Sequence, residues 1–381
     1  MPYVINEEIL ALQREVRKFA AKELAPRAAE SDRTGEFPRE NVAKLGEMGL
    51  LGMVVGEDYG GADFGSVALA VAIEEVSYAC SSTGVIMSVM NSLIGLPIYL
   101  YGNDYLKDTY LERVATGRII GAFALTEPGA GSDAASISTT AVLDGGEYVL
   151  NGTKRFITNA EVAQVFLVFA VTDKEKRAKG ITAFIVDRDT PGFEVGKHED
   201  MMGMRATGTS ELSFEDCRVP AGNVLGEIDQ GFILGMKLLD YSRIGIGAQS
   251  VGIAQRALDL AVQYSKERKQ FGRPICEFEM VQDMLATCAA KVAAARHLVL
   301  HAAYLKDEGT KKITREAAMA KYYASETAGD VTRACLQIHG GYGYSKEYDV
   351  ERLYRDAKVL EIYEGTTQIQ KIVIARSLLE E

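Results

Sequence analysis

The stretch TTAVLDGGEYVLNGTKRFITN (139–159) decides the fold. Its apolar residues come in short, β-branched runs. Asp144-Gly145-Gly146, between TTAV and YVLNG, reads as a hairpin turn, because glycine accepts the positive φ that a two-residue turn requires. VFLVFAVT (165–172) and GITAFIVD (180–187) continue the pattern, and the alternating stretch GMRATGTSELSFEDCRVP (203–220) closes it. On both sides the period changes to that of a helix. Upstream, Ile9, Leu12, Val16, Phe19 and Ala20 recur at helical spacing, and Pro26 is expected to end that helix. A second helix is predicted from about Pro38 to Met48, stopped by Gly49. GEDYGGADFG (56–65) reads as a loop, followed by helical stretches at 66–79 and 83–100. Downstream, Ile233, Met236, Ile246, Ala254, Leu258 and Ala261 trace a long helix, in which Gly245, Gly247, Ala248 and Gly252 permit close packing. Helices follow at about 277–308, 313–337 and 367–379. The order predicts an α+β chain: an N-terminal α domain (1–118), a middle β domain (119–228) and a C-terminal α-helical domain (229–381).

Composition narrows the function. The 381 residues carry 42 basic and 53 acidic side chains, a formal charge of −11. An acidic chain without long Lys/Arg runs is unsuited to coating nucleic acid or an anionic membrane. The most apolar segment, Ser88 to Tyr101, is interrupted by Asn91, Ser92, Gly95 and Pro97, so no stretch is expected to reach the length of a membrane span. Glu7 and Glu8 precede the first apolar periodicity, unlike a secretory or basic transit signal, which points to a cytoplasmic protein. Cys80, Cys217, Cys276, Cys288 and Cys335 are odd in number and widely spaced, as in reduced thiols. His297 and His301 share a helical face but have no acidic or Cys partner at ligand spacing, so no metal site is expected.

Six segments have the residue types for chemistry, and each has a plain reading beside it. ALTEPGAGSD (124–133) is a turn, or a loop whose backbone N–H groups can approach a phosphate or a flat ring. KRFITNA (154–160) is a hairpin strand, or one that sets an aromatic edge and a hydroxyl against a cofactor. In LLDYSRIGIGAQSVGIAQRALD (238–259), Asp240 and Arg243 form an i,i+3 ion pair, or offer an arginine to an anionic ligand. YSKERKQFGRP (264–274) is a solvated basic helix end closing at Gly272, or a pyrophosphate site. QIHGGYGY (337–344) is a helix cap, or a loop that a ligand can approach closely. In EIYEGTTQIQ (361–370), Thr366 or Thr367 caps the last helix. Glu364 lies in the loop before it, as a solvated carboxylate or as a base whose pKa an apolar setting raises.

Taken together and in this order, the segments resemble the acyl-CoA dehydrogenase family over essentially the whole chain. The resemblance is carried by LTEPGAGSD, GMRATGTSELSFEDCRVP, RKQFG, QIHGGYGY and IYEGTTQIQ. It implies an N-terminal α domain, a central β-barrel or sheet domain and a C-terminal four-helix bundle, assembled as a homotetramer. It also implies FAD as cofactor, an acyl-CoA substrate and electron-transferring flavoprotein as electron acceptor. By similarity Phe123, Leu125, Thr126 and Ser132 line the flavin, and Phe156, Ile157 and Thr158 cover its other side; many relatives have Trp at position 156. Arg268, Phe271, Gln337, Ile338, His339, Gly340 and Gly341 would bind the distal part of a partner subunit's FAD. Glu279, where the family often has Gln, falls on its adenine side, and Thr366 and Gln368 would hold the near part. Ser132, Asp240, Tyr241, Ser242, Arg243 and Gly365 would meet the CoA thioester.

The implied reaction is α,β-dehydrogenation: a base removes the α-proton while the β-hydride leaves for the flavin. Some subfamilies carry the base on the helix just before the arginine, where this chain has Ser242. Glu364 occupies the IYEGT position and is assigned the base. SVMNSLIGLP (88–97) resembles short-chain, butyryl-type members, which implies a short acyl group. A branched or alicyclic acyl-CoA, or operation as an enoyl-CoA reductase or bifurcating partner, stays open at this stage.

Overall fold

The computed structural model describes residues 5–380. The N-terminal third is helical: α1 (Glu7–Phe19), α2 (Ala25–Thr34), α3 (Arg39–Glu47), α4 (Gly65–Ala79), α5 (Ser81–Val89), α6 (Leu96–Tyr101) and α7 (Asp104–Ala115). Pro26 does not end the first helix. One π-type turn (Ala20–Leu24) joins α1 to α2, so the proline falls in the opening turn of α2, where a missing N–H costs nothing. The chain turns only at Gly35, whose φ is 74°.

A similar π turn (Met90–Gly95) links α5 to α6 and accommodates Pro97. The resulting segment, Ser81–Tyr101, is long and apolar enough to cross a bilayer by length and composition, contrary to the sequence expectation. In this fold 89% of its most apolar window is buried, and it serves as core.

The middle of the chain forms one eight-stranded sheet in the order β6-β7-β3-β2-β4-β5-β8, with β1 paired in parallel to β4. The strands are β1 (Gly121–Ala124), β2 (Thr140–Asp144), β3 (Glu147–Ile157), β4 (Val165–Val171), β5 (Ile181–Asp187), β6 (Phe193–His198), β7 (Ser210–Pro220) and β8 (Val224–Leu225). The β2–β3 hairpin closes through Gly145 and Gly146, at φ 61° and 93°, as the Asp-Gly-Gly signal predicts. One face of the sheet buries Tyr148, Phe166, Phe184, Phe193 and Phe214 in a core of its own.

The C-terminal part contains α8 (Gly231–Glu267), α9 (Glu279–Asp307), α10 (Thr314–His339), α11 (Asp349–Leu360) and α12 (Thr367–Leu379). Helix α11 has no counterpart among the helices predicted there. Its apolar side (Val350, Leu353, Ala357, Leu360) is buried, and Arg355 ties it to Asp32 of α2 at 2.7 Å. Helix α8 ends at Glu267 and not at Gly272. Residues 269–270 and 273–274 pair as a small hairpin, with Phe271 and Gly272 at its turn at φ 53° and 81°.

The small residues of α8 perform as predicted. A Cβ on Gly252 would come within 2.3 Å of the Glu74 carbonyl, and one on Gly245 within 2.4 Å of Ser88 Oγ. Close packing of α4 and α5 on α8 thereby brings Ser242 and Arg243 to the seam between the helices and the sheet.

Candidate active site

Three elements converge on one cavity. The loop after β1 contributes Leu125, Thr126, Gly131 and Ser132, the end of β3 contributes Phe156, Ile157 and Thr158, and the α11–α12 loop contributes Tyr363, Glu364 and Gly365. Arg243, Met236 and Leu239 of α8 and Val85, Val89 and Leu93 of the α5 segment complete the wall.

Local sequence explains each position. The loop 124–133 is pinned by Glu127, whose carboxylate accepts Ser138 N–H (2.6 Å), Ser138 Oγ (2.7 Å), Thr139 N–H (2.9 Å) and the Lys154 ammonium (2.8 Å). Lys154 also donates to the Leu125 carbonyl at 3.2 Å. A register shift against β7 between Lys154 and Ile157 bulges β3, with Phe156 at φ 58°. The bulge turns the ring out of the sheet to the cavity rim, where it is 53% exposed.

Glu364 and Gly365 are consecutive left-handed residues, at φ 53° and 91°, so the chain reverses sharply at the carboxylate. Thr367 N–H donates to the Glu361 carbonyl (2.9 Å), and the Gln370 amide donates to the carbonyls of Glu364 (3.0 Å) and Gly365 (2.9 Å). The Thr366 hydroxyl oxygen caps α12 by accepting Ile369 N–H at 3.3 Å. The Tyr363 hydroxyl donates to buried Gln249 at 2.6 Å. A Cβ at Gly365 would lie 2.5 Å from Gln370 Nε2 at a φ that side chains avoid. Gly365→Ala is therefore expected to strain this turn by about 1–3 kcal/mol, read as a lower melting temperature and a turnover reduced tenfold or more.

Burial pushes the Glu364 carboxyl up to about 7; Lys321 and Arg243 oppose the rise. The Ser242 hydroxyl donates to the Glu364 carboxylate, so the two positions that the resemblance offers for a base are in contact. Among the described residues no acceptor takes the Glu364 backbone N–H. Arg243 pairs with Asp240 at 2.6 Å, while its Nε, also buried, has no partner.

The other residues singled out from the sequence fall in different places. Tyr241 faces away from this cavity, beneath the Lys306 ammonium at 4.1 Å. Arg268, Ile338, His339, Gly340 and Gly341 line a second, separate cleft with Tyr264 and Tyr342. Phe271 stands 94% exposed on its hairpin beside that cleft. Gln337, Glu279 and Gln368 are exposed on helix surfaces. Sequence reasoning missed Met236, Leu239 and Lys321, which carry no motif and reach the site only through helix packing.

The residues fit a flavin. The first cavity offers a flat apolar rim (Phe156), the small polar side chains Thr126, Ser132 and Thr158, and Gly131, where a Cβ would have open space. The second cleft offers an arginine and two glycines, Gly340 and Gly341, that are likewise open.

The chain matches the acyl-CoA dehydrogenase N-terminal domain over residues 6–118, the middle domain over 122–217 and the C-terminal domain over 229–379. The chain belongs to the acyl-CoA dehydrogenase family and is an oxidoreductase of that type. It is 49% identical to the acryloyl-CoA reductase (NADH) of Anaerotignum propionicum, over 100% of this chain and 96% of that protein. It superposes on butyryl-CoA dehydrogenase from Megasphaera elsdenii with a TM-score of 0.97, at 42% identity and full coverage of both chains. A chain from a structural study of the electron transferring flavoprotein of Acidaminococcus fermentans and flavin-based electron bifurcation superposes at 0.98, with 46% identity and full coverage of both.

Proposed function

We propose that this protein is an FAD-dependent, short-chain acyl-CoA dehydrogenase with Glu364 as the α-proton base. The observation that carries this reading is a carboxylate, raised to about 7 by burial, on a rigid turn in a cavity shared with the flavin-lining residues. FAD, when bound, accepts the β-hydride. The chain supplies the rest. Glu364 takes the α-proton on its carboxylate. Its backbone N–H is available to the thioester oxygen, where negative charge develops, and one such donor contributes about 10²–10³ in rate. Ser132 and Arg243 hold the CoA side of the thioester. Val85, Val89, Leu93, Met236 and Leu239 bound the acyl end with apolar surface.

The ionised form of Glu364 is the active base, so activity rises with pH. A group raised to about 7 is half ionised there and mostly protonated at pH 6. The rate of anaerobic flavin reduction is expected to climb between pH 6 and 8, with a midpoint near 7. A rate independent of pH across this window would exclude Glu364 as the base.

The short-chain assignment is supported by the likeness to butyryl-CoA dehydrogenase; the apolar wall of the cavity suits an acyl group. Electron-transferring flavoprotein as acceptor, a homotetramer and a cytoplasmic setting complete the proposal. The second cleft, away from the first, suits a cofactor reached from a partner subunit. The 49% identity to an acryloyl-CoA reductase favours a second reading, in which the same residues run the reaction toward the acyl-CoA. NADH-dependent reduction of a short enoyl-CoA in the presence of electron-transferring flavoprotein separates the two directions. Titration with linear, branched and alicyclic acyl-CoAs reads the acyl preference.

A further inference from the structure

Lys321 of α10 is fully buried, 0% exposed, and does not line the substrate cavity. An ammonium in such a place is costly unless something offsets it. Its hydrogen bond goes to the carbonyl of Gly365, at 2.7 Å, directly under the turn that carries Glu364. Among the described residues no carboxylate forms an ion pair with it, whereas its charge acts on Glu364.

The other charged and titratable groups around Glu364 are already engaged. On α8, Arg243 is paired with Asp240, which also accepts Thr314 Oγ1 at 2.6 Å, and Ser242 donates to Glu364 itself. On the loop and the end of α11, Glu361 pairs with Lys358 at 2.7 Å, and Tyr363 is bound to Gln249. Lys321 is thus a cation beside the base with no ion-paired carboxylate among the described residues; Glu361, paired with Lys358, also attracts its charge, after Glu364. Burial lowers Lys321 to about 8, so an ionised Glu364 and a charged Lys321 coexist around neutral pH.

We propose that Lys321 is a positioning residue for the base: through the Gly365 carbonyl its ammonium holds the Glu364–Gly365 turn, and its positive charge favours the carboxylate form of Glu364 over the neutral acid. The proposal rests on the reading of Glu364 as the base, and its test separates the two.

Lys321→Gln keeps a donor for the Gly365 carbonyl and removes the charge. The expected result is an upward move of about one unit in the pH midpoint of flavin reduction. At pH 7 that is a loss of about fivefold, closing as the pH rises. An equal loss at every pH would mark a merely structural role and overturn the proposal. Glu364 ionisation is also read directly, from the carboxylate infrared band of [13C]glutamate-labelled protein, taking the difference between the parent protein and Glu364→Gln. In the Lys321→Gln background that midpoint is expected to rise by the same unit; an unmoved midpoint overturns the proposal. If the infrared midpoint moves while Glu364→Gln retains turnover, the base assignment fails and the charge effect of Lys321 stands. Should Lys321→Gln not fold, Lys321→Arg carries the test: the retained charge leaves the midpoint near its parent value, and a one-unit rise overturns the proposal.

Discussion

Glu364→Gln is expected to retain FAD and acyl-CoA binding while slowing anaerobic flavin reduction by about 10²–10⁴-fold, the contribution of a positioned base. Gln has nearly the same shape, and its backbone N–H and carbonyl keep their places in the turn. The hydroxyl of Ser242 still has an oxygen to meet. What disappears is the atom that accepts the proton. Stopped-flow reduction with butyryl-CoA, compared with equilibrium binding of the same thioester, separates the two quantities. A variant that binds weakly but reduces flavin at the parent rate would mean that Glu364 is a binding residue only.

The second large effect is on stability. Glu127→Ala strips the carboxylate from Lys154, whose side chain is 0% exposed. Breaking a buried pair from one side leaves an uncompensated charge and typically costs about 3–5 kcal/mol. The same change also releases the N–H groups of Ser138 and Thr139, so loss of bound flavin should accompany the lower denaturant midpoint.

The Lys154 ammonium and the hydrogen bonds hold Glu127 down at about 2, but burial drags Lys154 down to about 8. The linkage sign follows from the depressed carboxylate: its stabilisation is present above its ordinary pKa and is lost as pH falls toward 2. The double variant Glu127→Leu/Lys154→Met should recover part of the loss, because no unpaired charge remains. Full recovery is not expected, since the two backbone donors still lack their acceptor.

The order of helices, strands and helices is legible in the chain because its signals are local. Hydrophobic period changes near Arg118 and again near Gly231, and Asp144-Gly145-Gly146 declares its own turn. Local signals also mislead where the backbone departs from the regular helix. Pro26 reads as a stop, but a π turn shifts the register so that the ring falls at a helix start. Gly272 reads as a helix end, but the positive φ it supplies serves a hairpin that the basic run conceals. Helix α11 is a different case: Val350, Leu353, Ala357 and Leu360 recur at i, i+3, i+7 and i+10, a legible helical period left out of the predicted helices.

The same division applies to the site. Gly131 and Gly365 are visible because glycine marks a loop in the sequence, while Phe156 and Glu364, at φ 58° and 53°, are legible only through the motifs around them. Lys321 sits inside AAMAKYYA with nothing to distinguish it from any helical lysine. Only packing of α10 under the last loop gives it a role, and no spacing rule along the chain encodes that distance of 44 residues. The coincidence of Ser242 with Glu364 is likewise a product of tertiary structure, spanning 122 residues of sequence.

The most direct test of the account is an anaerobic titration of the purified flavoprotein with butyryl-CoA, run in parallel on Glu364→Gln, following the visible flavin absorbance. Bleaching within turnover time is expected for the parent protein, and almost none for the variant at equal thioester occupancy. A flavin that butyryl-CoA and its longer homologues leave oxidised, or one that bleaches equally fast without the Glu364 carboxylate, would contradict it.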